Sequence, residues 1–261
     1  MIKLIATDID GTLVNSKKQL PSDFEDIMEE LERRKVSFAV SSGRSLVALQ
    51  EQFGGYMSKI SIICDNGAVI MDKGKMLSCS VMPRESVIRI IDVCEQNGMV
   101  PLLCTPYTTY MPNADTVFLD EVQLYYKKHE ILSDLRNYEG QVTKVAIFQK
   151  DGIEDGGYEL LKREFGQTGE VVLSGYYWAD IMNRGISKGR GVEILQQRLG
   201  ASYESTMAFG DYVNDIEMFG YAYYSFAMEN AHPLVKKAAN FITGSNEDFS
   251  VASEIKKLVL S

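Results

Sequence analysis

The sequence predicts an α/β protein: a doubly wound, Rossmann-like parallel sheet with an α+β domain inserted into it. Three observations carry this reading. Short apolar runs alternate with amphipathic helical segments at both ends of the chain. Most of these runs end in small and polar residues, the composition of a strand-to-helix turn. Between them, residues 83–184 change character, with strand pairs that suggest hairpins. The predicted layout is therefore residues 1–82 and 185–261 as one α/β core, split by an inserted domain over 83–184.

Leu4 to Thr7 reads as a buried parallel strand, closed at Gly11. Pro21 and Ser22 open a helix that places Phe24, Ile27, Met28 and Leu31 on one face. Val36 to Val40 is the second strand, and a short helix follows through Leu46, Leu49 and Phe53. Ile60 to Cys64 is the third strand, and Gly67 to Val81 reads as hairpin strands around Lys73-Gly74. Within the insertion, Glu85 to Asn97 is helical and closed by Gly98. Val100 to Met111 gives two strands and a turn, Lys144 to Gln149 a strand, and Tyr158 to Phe165 a helix. Val171 to Leu173 and Trp178 to Met182 complete the insertion, where alternation puts members of Tyr176-Tyr177-Trp178 on opposite faces. A helix from Lys188 to Leu199 and a strand from Thr206 to Phe209 resume the α/β pattern. A helix at Asp215 to Phe219, a strand at Tyr223 to Ala227 and a helix near Val251 to Leu260 finish it.

Composition narrows the partners. A net charge of −9 argues against nucleic acid and anionic membrane surfaces. No apolar run is long enough to span a bilayer, and the start of the chain runs directly into a strand, so a cytoplasmic location is expected, with a monomer as the default for a chain of this size. Cys64, Cys79, Cys94 and Cys104 lack CxxC or metal spacing and read as thiols of a reducing compartment. With only His129 and His232 present, histidine-based triads and metal sites have little material.

Ligands of open α/β sheets bind at the carboxyl ends of the strands. There the sequence puts Asp8 and Asp10, then Ser42-Gly43-Arg44, then Asn66-Gly67, and finally Asp211 with Asn214 and Asp215. Lys188 opens the helix that follows the insertion. So many carboxylates on one rim imply a cation. Oxygen ligands without histidine or cysteine favour Mg²⁺, which completes its shell with water and substrate phosphate. Ser42 and Lys188 suit phosphate oxygens as hydroxyl donor and point charge.

Four stretches in order carry a family resemblance: "DIDGT" (Asp8 to Thr12), "SSGR" (Ser41 to Arg44), "SKG" (Ser187 to Gly189) and "GDYVND" (Gly210 to Asp215). They resemble the motifs of the haloacid dehalogenase (HAD) superfamily. "DNGA" at Asp65 and "AMENAHPLVKKAA" at Ala227 resemble its Cof-type subgroup, whose class IIB α/β cap is inserted between the second and third motifs. The resemblance spans essentially the full chain. It implies a Mg²⁺-dependent phosphatase that forms an aspartyl-phosphate and acts on a small phosphorylated metabolite, sugar phosphates foremost.

In that reading Asp8 is the nucleophile, and Asp10 is the general acid that later activates water. For the first role Asp10 must carry a proton near neutral pH. Asp8, the backbone of Asp10, Asp211 and, through water, Asp215 hold the metal. Ser42 and Lys188 hold phosphoryl oxygens, and Gly11, Gly43, Arg44, Asn66 and Asn214 line the substrate site. The cap is implied to close over the core and set specificity. Ser42 stands where threonine is usual, Tyr212 and Val213 are bulkier than the family norm, and Ser250 replaces a frequent glycine. Two alternatives stay open: a phosphomutase of the same fold, and a catalytically silent metabolite-binding protein.

Overall fold

The computed structural model describes residues 1–113, 116–126 and 128–261. They form two compact units: Met1–Ser42, Gly55–Leu77 and Ser187–Ser261 make the first, and Gly43–Gly54 with Ser78–Ile186 make the second. In chain order the elements begin with β1 (Leu4–Thr7), α1 (Phe24–Arg33), β2 (Ser37–Ser41), α2 (Leu46–Phe53), β3 (Ser61–Cys64), β4 (Val69–Asp72) and β5 (Lys75–Cys79). Then come α3 (Arg84–Gln96), β6 (Val100–Cys104), β7 (Thr109–Met111), α4 (Thr116–Tyr125), β8 (His129–Ile131), β9 (Lys144–Phe148), α5 (Gly157–Phe165), β10 (Gly169–Gly175) and β11 (Trp178–Asn183). The chain ends with α6 (Lys188–Leu199), β12 (Thr206–Gly210), α7 (Ile216–Phe219), β13 (Tyr224–Ala227), α8 (Pro233–Ala238), β14 (Phe241–Ile242) and α9 (Ser250–Ile255).

The sheet of the first unit runs β14-β13-β12-β1-β2-β3-β4-β5. Its strands from β14 to β3 are mutually parallel, and β4 turns back antiparallel to β3. β1 sits between β2 and β12, and all four of its residues are buried, which is why it reads as a continuous apolar run. α1 buries Phe24, Ile27, Met28 and Leu31, the face set by its helical period. α6 starts where Ser187 Oγ accepts the Arg190 N–H and stops at Gly200 in the left-handed conformation. These two signals fix the register of the helix and hence the position of Lys188, its first residue.

The sheet of the second unit runs β10-β11-β9-β6-β7-β8, antiparallel except for the β7–β8 pair. Alternation along β9 divides its residues between two cores. Val145 and Ile147 pack with Ile90, Ile91, Leu161 and Phe165, whereas Ala146 and Phe148 join Phe118, Val122, Tyr126 and Trp178. Trp178, the first residue of β11, is buried, whereas Tyr176 in the turn before it is exposed. The sequence predicts neither α4 nor β8, and it misses α8 and β14 as well. All but α4 are a turn or two of helix or a few strand residues, too short for a period to show, and exposed Ile131, Phe241 and Ile242 give no alternation. The four cysteines are free, and no helix among the described residues is long and apolar enough to cross a membrane.

Candidate active site

Because β12, β1, β2 and β3 are adjacent and parallel, their carboxyl ends bring Asp211, Asp8, Ser42 and Asp65-Asn66 to one rim. Asp8, Asp211 and Asp215 each place an oxygen within 4.8 Å of the others. Lys188 enters this group from the first position of α6. Its Nζ lies 2.6 Å from Asp8 Oδ1 and 2.6 Å from Asp215 Oδ1. The second Asp215 oxygen accepts the backbone N–H of Asp211 and of Tyr212, each at 3.0 Å. Asp215 therefore shapes the loop it belongs to and orients the lysine.

Lys188 is 2% exposed and Asp215 fully buried. Burial opposes the charge of the lysine, but Asp215 and Asp8 outweigh it and hold Lys188 protonated well above its ordinary range. Its partners are short of positive charge. Burial pushes Asp8 up strongly, Lys188 offsets part of that, and Asp215 and Asp211 add to it. Asp211 is pushed up to about 6, first by burial and then by Asp215. Buried acids around a single lysine, with oxygen donors only, fit a hard divalent cation in charge and in ligand type.

The turn after β1 brings Gly11 against Asp211. Gly11 has φ +78°, and a Cβ there would collide with the Asp211 carboxylate. Thr12 Oγ1 donates to Asp211 Oδ1 at 3.0 Å, and Asn230 Nδ2 donates to the Gly11 carbonyl at 2.8 Å. Gly11→Ala is expected to lower stability by about 2 kcal/mol or more, since it combines strain with displacement of Asp211. An unchanged melting temperature would show that turn and carboxylate can part without penalty.

Asp10 is half-exposed, and Lys18 Nζ lies 2.6 Å from its Oδ1. Ser42 is buried and its carbonyl accepts the Asn66 N–H at 3.0 Å. Asn214 Nδ2 donates to Asn66 Oδ1 at 3.1 Å. Gly43 and Arg44 belong to the second unit. There the Gly43 carbonyl accepts from buried Lys144 at 2.8 Å, and Arg44 Nη1 donates to Gln52 at 3.0 Å. Asn183 donates to Ser80 Oγ and to the Val81 carbonyl. Sequence reasoning missed Thr12, Lys18 and Asn230. Thr12 lies inside a quoted motif and Asn230 inside another, whereas Lys18 sits in a polar stretch with no distinguishing signal.

Acids and a buried lysine converging at the strand ends of a doubly wound sheet are the build of an α/β enzyme. The chain belongs to the haloacid dehalogenase-like hydrolases, whose family profile matches residues 5–255. It is 26% identical to the 5-amino-6-(5-phospho-D-ribitylamino)uracil phosphatase YbjI of Escherichia coli K12, covering 99% of this chain and 96% of that protein. It is likewise 26% identical to the phosphatase YwpJ of Bacillus subtilis 168, covering 99% of this chain and 100% of that one. Among solved structures, SMU.1108c of Streptococcus mutans UA159 superposes with a TM-score of 0.93 at 28% identity, covering 100% of each chain.

Proposed function

We propose that this hydrolase is a Mg²⁺-dependent phosphatase of small phosphorylated metabolites, sugar phosphates foremost, working through an aspartyl-phosphate on Asp8. The observation that carries it is the buried group of Asp8, Asp211, Asp215 and Lys188 at the strand ends. The relatives' names support the reaction class, and one of them specifies a phosphorylated ribityl compound. The stretch 83–184 is proposed as an inserted cap, and the free thiols accord with a cytoplasmic setting.

Asp8 attacks phosphorus in line with the ester oxygen, and the P–O ester bond breaks as the aspartyl-phosphate forms. Asp10 gives its proton to the leaving alkoxide, then takes one from the water that attacks the acyl phosphate and frees inorganic phosphate. Lys188 and Ser42 hold the phosphoryl oxygens throughout. Asp8, Asp211 and the Asp10 carbonyl would hold Mg²⁺, with Asp215 acting through water, a role that suits its already engaged oxygens. Bound there, the cation offsets the repulsion between the Asp8 carboxylate and the phosphate dianion.

A panel of phosphate esters with Mg²⁺, read as inorganic phosphate released, tests the proposal. Turnover of glucose 6-phosphate or p-nitrophenyl phosphate is the expected result. Transfer to a second hydroxyl without free phosphate would indicate a mutase, and silence across the panel would indicate a binding protein.

Metal dependence also predicts a pH signature. Asp211 rises from 3.8 to about 6 on folding, so the metal-free fold keeps a proton that the unfolded chain has lost. Its stability therefore falls as pH climbs from about 4 to about 6, the sign for a raised acid. Mg²⁺ competes with that proton. The rise in melting temperature at saturating Mg²⁺ should thus be larger at pH 8 than at pH 5, by several degrees for binding worth about 2–3 kcal/mol. An equal rise at both pH values would place the metal away from Asp211.

A further inference from the structure

The turn between β3 and β4 adopts a backbone that side chains ordinarily avoid. Asp65 has φ +47° and Asn66 φ +53°, consecutive left-handed residues, and Gly67 follows at φ +102°. Asparagine tolerates that region better than most residues. Asn66 is only 2% exposed, so solvent does not explain its presence.

The contacts of this turn reach the other two segments of the first unit. The Asn66 N–H donates to the Ser42 carbonyl at 3.0 Å. Asn66 Oδ1 accepts from Asn214 Nδ2 at 3.1 Å, across 148 residues of sequence. Gly67 lies so close to the Ser187 carbonyl that a Cβ would collide with it. Ser187 caps α6, and Asn214 immediately precedes Asp215. α6 packs against both the Asp65–Gly67 turn and the Val213–Asp215 turn. The Asn66–Asn214 bond therefore closes a ring around the helix start that carries Lys188.

We propose that Asn66 is a positioning residue: its left-handed turn and its bond to Asn214 clasp the first turn of α6 and hold Lys188 Nζ between Asp8 and Asp215. The inference rests on the phosphatase reading and gives Asn66 a different task from touching the leaving group. A clasp acts on every substrate alike, because it sets the lysine and not the pocket for the alcohol. A leaving-group contact acts only on substrates that offer it a partner.

Asn66→Gly keeps the left-handed backbone and removes the acceptor. The expected result is a fall in kcat of roughly 10-fold to 100-fold. The factor should be the same for p-nitrophenyl phosphate and glucose 6-phosphate, with a melting temperature within about 2 °C of the parent. Asn214→Ala should show the same loss, and the double variant no further loss, since both remove one bond. Losses that add, a loss confined to glucose 6-phosphate, or full activity in Asn66→Gly would each overturn the proposal. A parent that hydrolyses neither ester overturns the phosphatase reading instead. Hydrogen exchange then decides the clasp alone. The Gly191 amide, bonded to the Ser187 carbonyl at 3.1 Å, should exchange faster in Asn66→Gly, and an unchanged rate there would dismiss it.

Discussion

Asp8→Asn is expected to lose turnover by roughly 10⁴-fold or more while the protein stays folded. The amide has nearly the shape of the carboxylate and can still accept from Lys188, whose Nζ lies 2.6 Å from Asp8 Oδ1. It cannot attack phosphorus as an anion. The substitution also removes one charge from an acid group in which burial and neighbouring carboxylates already push Asp8 up. The metal-free variant should therefore melt at or above the parent temperature, and ³²P from a labelled ester should no longer attach to the chain. Retained turnover would remove Asp8 from the nucleophile's place. Lost turnover with an unfolded chain would say nothing about attack, which is why the melting curve belongs to the measurement.

Lys188→Met should act chiefly through stability. Its ammonium is the partner of Asp8 and Asp215, which are 9% and 0% exposed at the side chain. Removing one side of a buried ion pair strands the other, a loss of about 3–5 kcal/mol. For a chain of this size that is on the order of 10 °C in melting temperature. The sign with pH follows from the stranded acids. Burial already disfavours the ionised Asp8 carboxyl and the lysine offsets part of that, so without the lysine lowering the pH protonates Asp8 and relieves the defect. The gap between variant and parent should narrow from pH 8 to pH 5. A gap that is small, or that widens on acidification, would mean the lysine is not what balances these acids.

That Asp8, Lys188, Asp211 and Asp215 converge was legible because each follows a short apolar run or opens a helix with a clear cap. A strand end fixes where the next side chain points, and four strand ends in one sheet fix a rim. What the sequence concealed is of another kind. The Asn66–Asn214 bond joins residues 148 positions apart, and no local pattern marks it. The left-handed pair Asp65-Asn66 sits between two strands, where a hairpin turn would have sufficed. Lys18 meets Asp10 from a polar stretch whose lysines look alike until the chain folds. The same limit applies to β8 and β14, which are too short to alternate.

The position of β1 has a consequence for how this protein comes into being. It lies between β2, which follows it closely in the chain, and β12, which begins only at Thr206. Asp8 and Lys188 are likewise 180 residues apart. During synthesis the central strand must wait with one edge bare while the whole insertion is made and folds. Such long-range pairing slows folding and exposes the open edge to wrong partners. The acids and their lysine meet only when the last third of the chain closes the sheet.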